Sequence, residues 1–222
     1  MTNDNGPMTT SMPRILITSG PTRQYLDPVR YLTNASSGRM GSALASAALQ
    51  AGCKVTIVSG PVDVGYPKKA ELISVVSTEE MLEACLDAFP RSDGLIAVAA
   101  PCDYRPVQVQ PHKIAKTGEP LMLQLVETPD VVAALARIKT SQWIVAFALE
   151  TRDRRFRAMQ KLERKSCDLI VVNGPAAIHA AHTQVEVINR QGEVLASLAG
   201  PKKDVAVRLF EIIRARLLCR AE

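Results

Sequence analysis

The sequence predicts an α/β fold, a doubly wound, mostly parallel, Rossmann-like sheet with a small antiparallel C-terminal hairpin. Three observations point to it. Short apolar runs rich in β-branched and small residues alternate with stretches of helical spacing, which is the pattern of βαβ units. The runs are apolar throughout instead of alternating with polar residues, as expected of strands covered on both faces. The unusual segments, 19–37, 100–118, 149–152 and 173–182, all follow strand ends, where open parallel sheets place their ligands.

Each element has its own justification. Ile15-Leu-Ile-Thr18 is a β-rich run closed by Ser19-Gly-Pro21, and Gly38 to Ala51 carries Met40, Ala43, Leu44, Ala47, Ala48 and Ala51 at helical spacing before the stop at Gly52. Val55 to Val58 and Leu72 to Val76 are the next strands. Ser77-Thr-Glu-Glu80 is a capping box that opens the helix Met81 to Phe89, and Pro90 ends it. Gly94 to Ala100 is small and apolar enough for a central strand. Leu121 to Val126 alternates as a strand, and Thr128-Pro-Asp130 starts a helix to about Lys139 with the proline in its first turn. Trp143 to Ala148 is a buried strand. Asp153 to Lys165 is a charged helix whose apolar stripe is Phe156, Met159 and Leu162. Asp168 to Asn173 is the last parallel strand, Val185–Asn189 and Val194–Leu198 flank an Arg190-Gln-Gly192 turn, and the helix Lys202 to Leu218 closes the chain.

With 222 residues, 47% of them hydrophobic, the chain can bury one ordinary core. The expectation is a disordered leader over 1–13 and a single α/β domain over 14–222. The formal charge of +5 favours anionic partners such as phosphorylated small molecules. Aromatics are only 4% and no dense Lys/Arg run exists, so no nucleic-acid partner is expected. The five cysteines form no Cys-x-x-Cys pair, which argues for a reducing compartment and against a zinc ribbon. The first residues lack the apolar core of a signal peptide, and no run reaches the roughly 18 apolar residues of a membrane span, so a cytoplasmic protein without a membrane partner is expected.

The chemistry is concentrated after the first strand. A connection from 19 to 37 is far longer than the roughly 2 to 6 residues usual between strand and helix, which points to binding. Ser36-Ser-Gly-Arg-Met-Gly41 opens the first helix, where free N–H groups, the dipole and two hydroxyls make an anion seat; Gly38 and Gly41 would let a phosphate approach. The same serines would serve equally as plain N-caps. No Gly-x-Gly-x-x-Gly follows the strand, which disfavours a dinucleotide site. Arg30 reads also as a surface ion-pair partner, Asn34 as a turn residue tolerant of positive φ, and Phe147 as core. Cys102 has no neighbour that would lower its pKa. His179-Ala-Ala-His182 could set two imidazoles on a helical face but lacks a third metal ligand.

Asp27-Pro-Val-Arg-Tyr-Leu-Thr-Asn-Ala-Ser-Ser-Gly-Arg-Met-Gly41 resembles the signature of the phosphopantothenoylcysteine synthetase family. Four further segments match in order: Ala99-Ala-Pro-Cys-Asp-Tyr-Arg-Pro106, Pro111-His-Lys-Ile-Ala-Lys116, Phe147-Ala-Leu-Glu-Thr151 and Lys165-Ser-Cys-Asp-Leu-Ile-Val-Val-Asn173. The resemblance covers Arg14 to the C-terminus. It implies a ligase that joins 4′-phosphopantothenate to L-cysteine through an acyl-nucleotide intermediate in coenzyme A biosynthesis. It also implies magnesium with a nucleoside triphosphate, CTP favoured over ATP, and a homodimer. Asn34 falls on the residue associated with the intermediate, Arg30 on one needed for the second half-reaction, and Lys113 on the lysine of a basic strap that meets the phosphates. Ser36, Ser37 and Gly38 fall on the phosphate seat; Ala99, Asp103, Lys116 and Phe147 fall on the nucleotide site, and no residue falls on a metal site. Ala115, Gly174 and Cys102 depart from the common pattern. A flavin-dependent decarboxylase is often fused ahead of this domain, and the chain has no room for one, so a stand-alone form without flavin is expected. The rival readings are a non-catalytic nucleotide-binding relative and an NAD(P)-dependent oxidoreductase.

Overall fold

The computed structural model describes residues 12–149, 153–174 and 181–218. Its centre is an eight-stranded sheet. In spatial order it runs β5 (Glu71–Ser74), β4 (Lys54–Ser59), β1 (Arg14–Ser19), β6 (Gly94–Ala97), β9 (Trp143–Leu149), β10 (Leu169–Asn173), β11 (His182–Asn189) and β12 (Val194–Pro201). The first six are mutually parallel, and β11 and β12 continue the sheet antiparallel beyond β10. From β1 the chain builds outward to β4 and β5, then returns to start the other half at β6. The strand order therefore reverses between β1 and β6, the switch point at which doubly wound sheets open a crevice.

Alternate residues of the strands feed two cores. Ile15, Ile17 and Val171 face α1 (Arg39–Gln50) and α5 (Lys202–Ile213), packing with Leu44, Ala48, Leu209 and Phe210. Leu16, Leu95 and Ile170 face the opposite layer, α2 (Thr78–Ala88), α3 (Val131–Ile138) and α4 (Arg154–Arg164), with Met81, Leu135 and Leu162. Burial on both sides is why the strands read as continuous apolar runs.

Most of the expected elements are present, and the departures have local causes. The Ser77 capping box forms: Glu80 N–H donates to Ser77 Oγ at 3.1 Å, while the Glu80 carboxylate accepts from Val76 N–H at 2.7 Å. The long 19–37 connection holds a small hairpin, β2 (Arg23–Tyr25) with β3 (Tyr31–Thr33). Leu121 to Val126 is not a strand of the main sheet; only β8 (Leu125–Glu127) forms, paired with β7 (Tyr104–Pro106) in a separate antiparallel ribbon. Asp130 N-caps α3 by accepting from Ala133 N–H, so Pro129 lies ahead of the helix and not in its first turn. On α4, Phe156 is 66% exposed and Ala158 takes the buried place expected for it. The C-terminal helix is α-helical only to Ile213, and Arg214–Leu218 is a π turn. His182 begins β11, so it cannot share a helical face with His179, which lies outside the described residues. Glu150 and Thr151 also lie outside them, as do residues 1–11 of the expected leader and most of the 173–182 segment.

Candidate active site

The N-terminus of α1 sits at the switch point. Gly38, with φ 71°, is its N-cap, and no side chain caps it. Ser36 and Ser37 are therefore not N-caps, and the first-turn N–H groups, which lack intrahelical acceptors, face the cleft. The loop after β4 folds over this turn: Tyr66 OH donates to Ser19 Oγ at 2.8 Å, and Ser19 Oγ donates to the Gly38 carbonyl at 3.3 Å. A Cβ at Gly38 would lie within about 3.1 Å of Val62, Val64 and the Tyr66 hydroxyl, so the left-handed turn and the covering loop both demand glycine. At Gly41 the demand comes from below, where a Cβ would stand 2.6 Å from Ser19 Cβ; close packing on β1, more than phosphate access, explains this glycine.

Ser36, Ser37, Gly38, Ala99 and Phe147 come together in one cleft of about 150 Å³ at the carboxyl ends of β1, β6 and β9. Phe147 is thus not simply core: it packs against the core and also lines this cleft. The remaining expected residues lie around a second feature. Asn34 does not have the positive φ expected of a turn asparagine. Its Nδ2 donates to the Pro101 carbonyl at 2.8 Å, tying the segment before α1 to the loop after β6. That loop is pinned further where Cys102 N–H donates to Thr22 Oγ1 at 2.8 Å and its carbonyl accepts from Thr128 Oγ1 at 2.5 Å.

Arg30 is an ion-pair partner, but of a buried acid. Its Nη1 lies 2.6 Å from Asp27 Oδ2 and donates to the Ile114 carbonyl at 3.1 Å. Asp27, whose side chain is 0% exposed, also accepts from the N–H groups of Val29, Arg30 and Ile114 at 2.8, 2.8 and 3.1 Å. Burial pushes its carboxyl up, but these three backbone donors and the guanidinium outweigh it and hold the pKa at about 2. Asp27 thereby clamps Arg30 to the strap that carries Lys113. Lys113 lines a separate cavity of about 380 Å³ beneath the strap, with Leu26, Ile114 and Met122. Lys116 and Asp103 are exposed and line neither space. Within one chain, therefore, the structure does not bring Lys113, Lys116 and Asp103 to the α1 cleft.

Sequence reasoning missed the clamp and the far wall of the cleft. Asp-Pro-Val-Arg is an Asx-turn pattern, so Asp27's local role was legible; its bond to residue 114 was not. The far wall is formed by Asn173, Thr183 and Lys202, with Arg39 beside the α1 turn. Burial, and then the nearby Arg39 charge, lower the pKa of Lys202. Cys102 is buried, and burial raises its thiol pKa despite hydrogen bonds from its neighbours, so nothing here makes it a nucleophile. Among the described residues no helix is long and apolar enough to cross a membrane.

Comparison with known proteins bears on the family and the fold. Residues 11–217 match the family described as the DNA/pantothenate metabolism flavoprotein C-terminal domain. The chain is 36% identical over 203 residues to the Coenzyme A biosynthesis bifunctional protein CoaBC of Haemophilus influenzae, covering 90% of this chain and 51% of that one. It is 45% identical over 160 residues to the Bacillus subtilis protein of the same name, covering 72% and 39%. The chain thus spans about half the length, or less, of these curated relatives. Among solved structures, the C-terminal domain of a CoaBC protein superposes with a TM-score of 0.78 at 34% identity, covering 93% of this chain and 98% of that domain. A Cab2 variant in complex with phosphopantothenate-cysteine shares the fold at 19% identity, with a TM-score of 0.76 and coverage of 92% and 86%.

Proposed function

The chain belongs to the DNA/pantothenate metabolism flavoprotein C-terminal domain family, and from that membership we propose that it is a ligase joining 4′-phosphopantothenate to L-cysteine in coenzyme A biosynthesis. The observation that carries this reading is the meeting of Ser36, Ser37, Gly38, Ala99 and Phe147, drawn from three separate matching segments, in one cleft at the switch point. A carboxylate is too poor an electrophile to react with an amine directly. In the proposed sequence its oxygen first attacks the α-phosphorus of a nucleoside triphosphate and pyrophosphate leaves. The cysteine amine then attacks the acyl carbon, the nucleoside monophosphate leaves, and the amide remains.

The residues suit these demands. The α1 turn offers unpaired N–H groups and a positive dipole to a phosphate. A carboxamide nitrogen carries two N–H groups; one on Asn34 anchors to Pro101, which aims the other for the oxygen of the reacting carbonyl. Arg30, oriented by Asp27, retains guanidinium donors for a carboxylate or phosphate. Lys113, on its strap, supplies a charge that can follow pyrophosphate. Among the described residues no group of three or more His, Cys, Asp or Glu gathers as a metal cage, so magnesium would arrive as the counter-ion of the triphosphate, held by its oxygens. CTP is the favoured nucleotide and ATP the second choice. A homodimer is part of the reading, and it is supported by the exposed apolar side chains of the strap lobe, Val107, Val109, Leu121 and Met122, the last 88% exposed.

The test is an assay with 4′-phosphopantothenate, L-cysteine, magnesium and either CTP or ATP, read as pyrophosphate release and amide product; silence with both nucleotides removes the ligase reading. Asn34→Ala is expected to keep nucleotide affinity and lose turnover by about 10²- to 10³-fold, as when one oxyanion donor is removed. Unchanged turnover in that variant would remove Asn34 from the mechanism. Met122→Glu is expected to convert dimer to monomer in light scattering, and an unaltered mass would place the interface elsewhere.

A further inference from the structure

The loop 60–70, between β4 and β5, covers the α1 turn but contributes nothing to the cleft wall. Several contacts hold it in place. Val62 and Val64 lie against Gly38, Ser42 Oγ donates to the Gly65 carbonyl at 2.8 Å, and Gly60 N–H donates to the Ser19 carbonyl at 3.0 Å. The half-buried ring of Tyr66 packs on the α1 side of the core. Its hydroxyl is therefore not needed to fasten the loop, and its bonds lead elsewhere.

Those bonds run in one direction. The Tyr66 hydroxyl donates to Ser19 Oγ at 2.8 Å, and Ser19 Oγ donates to the Gly38 carbonyl at 3.3 Å. A phenol has one proton, so with that proton given to Ser19 its oxygen is left to accept from Ser59 Oγ, 2.7 Å away. Ser19 also has one proton. It is fully buried, and a donor aimed into its oxygen turns that proton toward Gly38. Tyr66 thus decides which way the Ser19 hydroxyl points.

The chain ends on a peptide that faces the cleft. In a planar trans peptide the carbonyl and the following N–H point in opposite directions. The Gly38 carbonyl is held by Ser19 Oγ and by Ser42 N–H at 3.0 Å, which turns the Arg39 N–H outward from the helix end. Arg39 is the first residue of α1 and lines the cleft. Gly38, with φ 71° and no side chain, has the freest backbone in the turn, so this peptide is the one that gains most from being pinned.

We propose that Tyr66 is a positioning residue for the phosphate seat: acting through Ser19, it locks the Gly38–Arg39 peptide with its N–H toward the bound anion. This rests on the nucleotide-dependent reading given above. When the N–H donates to a phosphate, electron density moves onto the Gly38 oxygen, which becomes a better acceptor for Ser19. Ser19 in turn becomes a better acceptor for Tyr66, so the chain strengthens as the ligand arrives.

Tyr66→Phe tests this by removing the hydroxyl and keeping the ring. Ser19 retains Gly38 as its acceptor and Ser59 retains the Gly60 carbonyl, so no buried donor is orphaned. The melting temperature is expected to stay within about 3 °C of the unaltered chain. Calorimetric affinity for inorganic pyrophosphate and for the magnesium salts of CTP and ATP is expected to fall about tenfold. In the ligase assay KM for the nucleotide should rise by a similar factor with kcat unchanged, the pattern of binding lost equally from ground and transition states. Ser19→Ala cuts the next link and should give a similar loss, and the double variant should lose no more than either single one. A lower melting temperature with affinity and KM unaltered, or additive losses in the double variant, would overturn the positioning role and leave the ligase reading standing. Pyrophosphate binding that weakens as expected in a chain without turnover would remove the ligase reading and uphold Tyr66. Failure of the unaltered chain to bind pyrophosphate or either nucleotide would overturn both.

Discussion

Asp27→Asn is expected to lower ligase turnover by about 100-fold while nucleotide affinity stays within about threefold, because a catalytic group displaced by about 1 Å can cost that much without contact with the nucleotide being lost. The buried carboxylate holds three backbone N–H groups and the Arg30 guanidinium at once, and one of those N–H groups belongs to the strap. An amide in its place keeps the volume but loses the charge, and its NH2 meets donors where the second oxygen met them. Arg30 and the strap should then move independently. The readout that separates this from general instability is local: residues around 111–118 become sensitive to protease at neutral pH while the sheet stays protected. The sign of the pH dependence follows from the same group. Its folded pKa of about 2 lies below the ordinary 3.8, so its contribution is complete above about pH 4 and is lost as pH falls through about 2. The unaltered strap should open only in that acid window, and the Asp27→Asn strap should be open throughout. A variant with normal turnover and a protected strap would show that the clamp has no part in catalysis.

Gly41→Ala is the second change expected to have a large effect. The added methyl group would meet Ser19 at 2.1 Å from Oγ and 2.6 Å from Cβ, and Ser19 is fully buried and already engaged by Tyr66 and Gly38. No rotamer of serine moves its Cβ, so the first turn of α1 must lift from β1. Overpacking of this kind costs about 1–3 kcal/mol, which a thermal melt would read. The same lift displaces the Gly38 turn from the strand ends, so phosphate affinity should fall with stability. A variant with an unchanged melt and unchanged nucleotide binding would mean that the helix start is more plastic than its packing implies.

These two residues mark what could be read in advance. The parallel core, the crossover at the first helix, the Ser77 box and the antiparallel hairpin follow from local signals: apolar runs, helical spacing, caps and turn residues. The cluster Ser36-Ser-Gly38 was legible as an anion seat because a helix terminus is defined by its own neighbours. The β2 and β3 strands escaped because three residues are too few to display a period. Phe156 was misassigned because a stripe on a short charged helix does not say which of two adjacent columns faces the sheet. The Asp27 clamp and the Asn173–Thr183–Lys202 wall escaped for a different reason. Asp27 meets a residue 87 positions away, and the wall is assembled from three positions on successive strands and the helix after them, so no short window of sequence contains either arrangement.

That distance has a consequence for how the cleft comes into being. Its near wall is laid down by residues 36–41 and its far wall by residues 173, 183 and 202, brought together across β1, β6, β9, β10 and β11 and by the packing of α1 against α5. The two walls face one ligand only when the chain has threaded the whole sheet in register. Such long-range parallel pairing is the slow kind of folding. A molecule that touches both walls therefore binds no partly folded form, and its binding energy is delivered to the β10–β11–β12 edge as much as to the centre. Saturating ligand should close the opening fluctuations of that edge in hydrogen exchange by the full linkage term, so the cleft acts as a fastener between the two ends of the chain.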